Sequence, residues 1–487
     1  MSFVALAVTL ASAVSSTTAV HRSAVIIGVN DAFESSQPTL QYADDDAARW
    51  YEMFAPSFDR VELLTVLDDE SQDIFGDAAK VARPPNLTTL EQTLDRMERS
   101  AVEARDSGRR TELFFVYVGH GRVAGGEGEV KLLGGALTRT QLTALVLERA
   151  THDRTHLIID ACNAYHLVNA RGAEQARVTA DFDDAFEDFV DAQDVTRFPS
   201  VGVVLSTSGA GTTLEWSRLL GGVFSYEVRS ALTGAADADE NGAVDYTEVE
   251  AFLASANIEV PVKKGRPKVY VRAPRIERSA PLLELSDRVP SLELPPELDG
   301  HYVLEDDRGV RYAELHKAVG YRVALRLVPR AGYALLTKDG GELWRVDAPT
   351  GVVRPPMPLG EAVRPSLPRG GEAPPGMFAM PYGPEFLVGF LANDRLTATT
   401  PAPAPPPTFS PLLKWSTVGA AVVLGGLATW QAVDAGATFD RYNAAFDAVE
   451  KSNLEASVRT KRRWATGLGV ASGVLLSAGV GMFVFDL

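Results

Sequence analysis

The sequence predicts an α/β domain built on a mostly parallel sheet, followed by a small antiparallel β domain and a C-terminal transmembrane helical hairpin. Three observations carry this. Five short apolar runs recur in the first half of the chain, with helix-patterned segments between them. After residue 290 the pattern changes to short runs separated by Gly, Pro and Asp. Two Gly- and Ala-rich apolar stretches close the chain.

Residues 2–13, SFVALAVTLASA, form an apolar run ending in Ala11-Ser12-Ala13, the pattern of a secretory signal and its cleavage site, although no Lys or Arg precedes it. Residues 1–20 are expected as a signal peptide; a buried first strand or helix is the alternative. The apolar runs follow: SAVIIGVN (23–30), RVELLTVL (60–67), TELFFVYVG (111–119), RTHLIIDA (154–161) and VGVVLST (201–207). Continuous apolar runs of this length suit strands buried on both faces. Helical periodicity falls between them at 43–54, 86–104 and 138–150, with Asn86 or Thr88 placed to cap the second helix. Alternating strands and helices imply a parallel sheet with its site beyond the carboxyl ends of the strands. This unit is expected over 22–257, with a charged connector at 258–290.

Runs such as HYVLED, YRVALRLV and YALLTK predict the small β domain at 291–397. TPAPAPPPTFS (400–410) is a stiff extended segment within a linker at 398–412. Within 413–487, residues 415–433 and 464–487 have the length of bilayer spans and are rich in Gly and Ala; each begins with Trp. The segment between them carries Arg441, Lys451, Arg459, Lys461, Arg462 and Arg463, which places that loop in the cytoplasm and the main body outside it.

A chain of 487 residues exceeds one core. Its net charge of −17 argues against nucleic acid as partner, because a phosphate binder needs a basic face. The single cysteine, Cys162, forms no internal disulfide and leaves the compartment open.

The third run ends in His120 and the fourth in Cys162. Taken singly, each reads as a strand-end residue: a buried inert thiol and a capping histidine. Taken together, they are a nucleophile and its base. A thiol needs a nearby base to become thiolate at neutral pH, and adjacent core strands would bring the two ends together.

YVGHG (117–121) followed by DAC (160–162) resembles the signature of the caspase, metacaspase and legumain peptidases. Asp160 stands where caspases carry Gln, so the chain looks more like a metacaspase. AVIIGVN with LQYADDDA (40–47), and GGVFSYEVRSALTGAADAD (221–239), match bacterial caspase-like proteins in the same order. The resemblance covers 22–257. It implies that Cys162 attacks the scissile carbonyl, that His120 handles its proton, and that the N–H groups of Gly121 and Cys162 hold the oxyanion. It further implies that Asp160 lines the substrate-binding pocket and selects Arg or Lys, and that the chain cuts itself within 171–197. A hydrogen-bonded strand-end carboxylate is the plainer reading of Asp160, and an amphipathic helix that of 171–197.

DADENGAVDYTE (237–248) sets Asp237, Asp239, Asn241, Gly242, Asp245 and Glu248 at positions 1, 3, 5, 6, 9 and 12 of an EF-hand loop, for which calcium is the matching ion. No second loop is visible, and an acidic turn capping a helix at 249–256 is the alternative. The catalytic chemistry itself needs no cofactor. Two functions stand: a membrane-anchored cysteine endopeptidase acting on protein or peptide substrates, or a non-catalytic caspase-like module that binds a protein partner at the membrane.

Overall fold

In the computed structural model the five apolar runs are strands of one sheet. The structure describes residues 19–149, 152–161, 195–206, 215–216, 219–260, 266–267, 269–285, 289–328, 333–338, 342–347, 353–357, 376–399, 411–444, 453–466, 468 and 472. Strands β1 (Val20–Val29), β2 (Arg60–Leu64), β3 (Arg110–Gly119), β7 (Arg154–Asp160) and β8 (Val201–Ser206) run parallel. With β12 (Val269–Arg272), antiparallel at the edge, they give the order β12-β8-β7-β3-β1-β2. The stretch expected as a connector thus supplies a strand to this sheet.

Alternate residues of each strand enter different cores, which is why the runs are apolar throughout. Ala24, Ile26, Phe114, Val116, Ile158 and Val204 face one side. That side is covered by helices α1 (Ala43–Phe54), α6 (Val223–Ser230) and α7 (Tyr246–Asn257). Val25, Ile27, Phe115, Leu157, Ile159 and Leu205 face the other, against α4 (Leu87–Asp106) and the turn of α5 (Arg139–Leu142). Short helices α2 (Asp69–Ile74) and α3 (Gly76–Val81) follow β2. Asn86 caps α4 by accepting from the Thr89 N–H at 2.8 Å. The acidic start of α1 is capped from outside the helix: Asn30 Oδ1 accepts from the N–H groups of Ala43 and Asp44 at 2.9 and 3.3 Å.

Small antiparallel elements decorate this frame. They are β4 (Gly121–Ala124), β5 (Glu127–Leu132) and β6 (Gly135–Thr138); β9 (Glu215–Trp216) with β10 (Gly221–Gly222); and β11 (Ala243–Asp245) with β13 (Pro281–Glu284). The predicted antiparallel β region is present. It comprises β14 (Ser291–Leu294) paired with β17 (Val323–Arg326), and a sheet ordered β16-β15-β18-β19-β20. Its strands are β15 (Gly300–Asp306), β16 (Arg311–Lys317), β18 (Tyr333–Lys338), β19 (Glu342–Asp347) and β20 (Val353–Met357). It shares one hydrophobic cluster with the helices of the α/β part: Tyr302, Leu304, Leu315 and Leu325 pack with Val228, Leu232 and Phe252. Residues through Ala392 form one compact unit.

The second unit, Asn393–Leu487, contains the helix Pro411–Ala444. Here the expectation of a transmembrane hairpin is not supported: among the described residues no helix is long and apolar enough to cross a membrane. The segment 415–433 lies inside that helix. The helix then continues through Asp434, Asp440 and Arg441. Most of 464–487, the linker at 400–410 and residues 1–18 fall outside the described residues, as does 171–194.

Candidate active site

The strand register defines the site. Val118 of β3 pairs in parallel with Asp160 of β7. His120 and Cys162 therefore each follow by two residues a strand position paired with the other. Cys162 itself lies outside the described residues; Ala161 before it is buried. Gly119 is required by close approach, since a Cβ there would sit 2.5 Å from the Tyr117 hydroxyl. That hydroxyl lies 2.9 Å from the Lys131 carbonyl and 3.1 Å from the His120 carbonyl, and so anchors the turn.

The His120 ring is buried and both nitrogens are engaged. Gln37 Oε1 accepts from the Phe33 N–H at 3.1 Å, which orients the amide so that Nε2 is its donor. Nε2 then donates to His120 Nδ1 at 2.9 Å. His120 Nε2–H donates to the Pro38 carbonyl at 3.0 Å. This fixes the neutral tautomer with its basic lone pair at Nδ1. Burial lowers the imidazole below its ordinary range, the Pro38 carbonyl partly opposing it. Gly121 opens β4 opposite Val130. The bond from the Lys131 N–H to the His120 carbonyl makes this a non-hydrogen-bonded pair, so the Gly121 N–H points away from β5.

Asp160, at the end of β7, is buried among acids. Its Oδ2 accepts from the Ser225 hydroxyl at 2.7 Å and the Ser225 N–H at 3.1 Å. Burial pushes its pKa up to about 6, Asp46 adding to the rise. Asp46, from the first turn of α1, accepts from the Gly222 N–H at 2.6 Å through Oδ2 and lies 2.7 Å from Arg229 Nη2 through Oδ1. Glu215, paired across from Gly222, accepts from the N–H groups of Gln41 and Tyr42, both at 2.9 Å. Burial pushes its pKa up to about 7, with Asp46 and Asp160 contributing. Gly221 and Gly222 leave room for these carboxylates: a Cβ would meet Asp46 Oδ1 at 2.4 Å or Asp160 Oδ2 at 2.7 Å, respectively.

Among the described residues Asp160 and Glu215 accept hydrogen bonds only from neutral donors, so an added cation would relieve both. Sequence reasoning selected Asp160 and missed Asp46, Glu215 and Gln37. The signal for Asp46 was three consecutive acids opening a helix that is otherwise buried.

The loop 237–248 brings together three of the five donors expected from its pattern. Ligand oxygens of Asp237, Asp239 and Glu248 lie within 4.8 Å of one another. Asn241 and Asp245 instead turn to the backbone: Asn241 Oδ1 accepts from the Ala243 N–H at 2.8 Å, and Asp245 Oδ1 caps α7 through the Glu248 N–H at 2.8 Å. Gly242 takes φ of 78°, the left-handed conformation that position 6 requires. The short strand of the loop, β11, pairs with β13 where EF-hands pair with a second loop. Burial pushes Asp237 up to about 6 and Glu248 up to about 8. Carboxylates gathered so closely fit a hard oxygen-loving cation such as calcium.

No family model matches the chain, and no curated protein matches it. Among solved structures, the crystal structure of a protein from Geobacter sulfurreducens, a structural genomics target, aligns over 55% of this chain and 100% of its own. The identity is 15% and the TM-score 0.31. That likeness assigns neither a fold nor a function.

Proposed function

We propose that the chain is a cysteine endopeptidase of the caspase-like group that cuts after Arg or Lys. The observation that carries this is the pairing of Val118 with Asp160, which gives His120 and the sole cysteine equal offsets beyond adjacent parallel strands. With Nε2–H tied to Pro38, Nδ1 is the atom that takes the Cys162 thiol proton, once the Gln37 amide leaves it. The thiolate then adds to the scissile carbonyl, and the oxyanion accepts from the N–H groups of Gly121 and Cys162. Collapse expels the amine, which takes the proton from Nδ1 and leaves a thioester. Water hydrolyses that ester and restores the thiol. Asp160 and Glu215 supply the charge that a guanidinium or ammonium would meet.

We also propose that the loop 237–248 takes calcium through Asp237, Asp239 and Glu248, which would hold the start of α7.

The test is a library of peptides varied at the residue before the cut. Cleavage after Arg or Lys, lost in Cys162→Ala and in His120→Ala, is the expected result; activity retained in Cys162→Ala would refute the proposal. The second reading, a partner-binding module without catalysis, is favoured by the engagement of both His120 ring nitrogens within the chain. Because Cys162 is the only cysteine, its alkylation by iodoacetamide separates the two: a base-activated thiol reacts faster than free cysteine at pH 7 and slows in His120→Ala.

A further inference from the structure

Between α1, α6 and the end of β17 lies a cavity of ≈ 30 Å³ whose walls carry four arginines: Arg49, Arg229, Arg308 and Arg326. Three of them are more than nine-tenths buried, with Arg49 4%, Arg229 2% and Arg326 6% exposed. Arg308 is fully engaged: its guanidinium pairs with Glu52 at 2.8 Å and Asp306 at 2.5 Å and donates to the Ile74 carbonyl at 2.9 Å. The other three are not. Arg49 and Arg229 share the single carboxylate of Asp46, at 3.3 and 2.7 Å. Arg326 donates from Nη2 to the Ser57 hydroxyl at 2.9 Å and pairs with no carboxylate among the described residues. That leaves Arg49 Nε and Nη2, Arg229 Nε and Nη1, and Arg326 Nε and Nη1 buried with no hydrogen-bond partner among the described residues.

Unpartnered buried N–H groups carry the full desolvation penalty, and a guanidinium does not escape it by losing its proton. We propose that this cavity is a binding site for a small oxyanion, phosphate or sulfate, held by Arg49, Arg229 and Arg326. The donors come from three different elements and lie in fixed planar forks, the arrangement that matches a tetrahedral oxyanion. A cavity of ≈ 30 Å³ is too small for a nucleotide or peptide. Burial, with repulsion from Arg22, pushes Arg326 down to about 10, as expected of a cation short of counter-charge. Because Arg49 and Arg229 are the partners of Asp46, the ion also steadies the first turn of α1, which carries Asp46. The proposal is independent of the peptidase reading.

Equilibrium dialysis of the full chain against radiolabelled orthophosphate, at constant ionic strength, tests it. The expected result is one phosphate per chain with sub-millimolar affinity, displaced by sulfate and not by equal ionic strength of chloride. A sugar phosphate should fail to compete; competition would overturn the free ion in favour of an esterified phosphate. Arg326→Gln should weaken binding at least tenfold and Arg326→Lys less, whereas Arg110→Gln on the surface should leave it unchanged. The same ranking should appear in the rise of Tm that phosphate causes beyond chloride. No bound phosphate in the wild type would overturn the proposal, and would mean that the chain itself balances these charges. Binding undiminished in a folded Arg326→Gln would overturn it equally.

Discussion

Asp160→Asn should stabilise the protein near neutral pH while it disables cleavage after Arg. Asp160 is 5% exposed, and its pKa rises from 3.8 to about 6, chiefly through burial. A folded-state pKa above the unfolded value means that the native state binds the extra proton between those limits. The stability this contributes is complete below about pH 4 and is lost as pH rises through about 6. The shift of about two units corresponds to about 3 kcal/mol at pH 7.5, at about 1.4 kcal/mol per unit. Asn removes that penalty and keeps an oxygen to accept from Ser225, at a cost of about 1 kcal/mol for exchanging a charged hydrogen bond for a neutral one. The net expectation is a gain of about 2 kcal/mol at pH 7.5 and little change at pH 4. Urea denaturation of both proteins at the two pH values measures it, as a shift in midpoint with the slope unchanged. Cleavage of an Arg peptide should fall by 2–5 kcal/mol in transition-state stabilisation, roughly 30- to 5000-fold. A variant less stable than wild type at pH 7.5 would refute the reasoning, because Arg229 would then be stabilising the carboxylate by more than burial costs it.

Gln37→Ala should free Nδ1 of His120 and raise the rate of iodoacetamide labelling of Cys162 several-fold at pH 7; an unchanged rate would show that the amide does not restrain the base. Calcium should raise Tm, by an amount equivalent to ~2.7 kcal/mol at a hundredfold excess over Kd, and Glu248→Gln should remove the effect. Because Glu248 is pushed up to about 8 and Asp237 to about 6, calcium uptake at pH 7 should release protons, measurable in buffers of differing ionisation enthalpy. Gly222→Ala drives a Cβ to 2.7 Å from Asp160 Oδ2 and should destabilise by about 1–3 kcal/mol, read by thermal melting.

The sequence by itself determined the parallel sheet, because strands buried on both faces must be apolar at every position, and β1, β3, β7 and β8 are written that way. It placed His120 and Asp160 at strand ends for the same reason: the apolar run stops where the sheet stops. It also set the spacing of the 237–248 loop, since an EF-hand pattern is local. It could not place Glu215, Asp46 and Gln37 beside those strand ends, for each arrives from a distant segment. Gln41 and Tyr42 meet Glu215 across more than 170 residues, and Gln37 meets His120 across 83. Nor could it show that the β region after residue 290 shares its core with α6 and α7, because composition changes at that point while packing does not. The membrane hairpin expected from the two uncharged Gly- and Ala-rich stretches is not supported among the described residues, where no helix is long and apolar enough to cross a bilayer. The arginine cavity is wholly a product of tertiary structure. Arg49, Arg229 and Arg326 are unremarkable in their own helices and strand, and become a buried excess of positive charge only when α1, α6 and β17 close on one another.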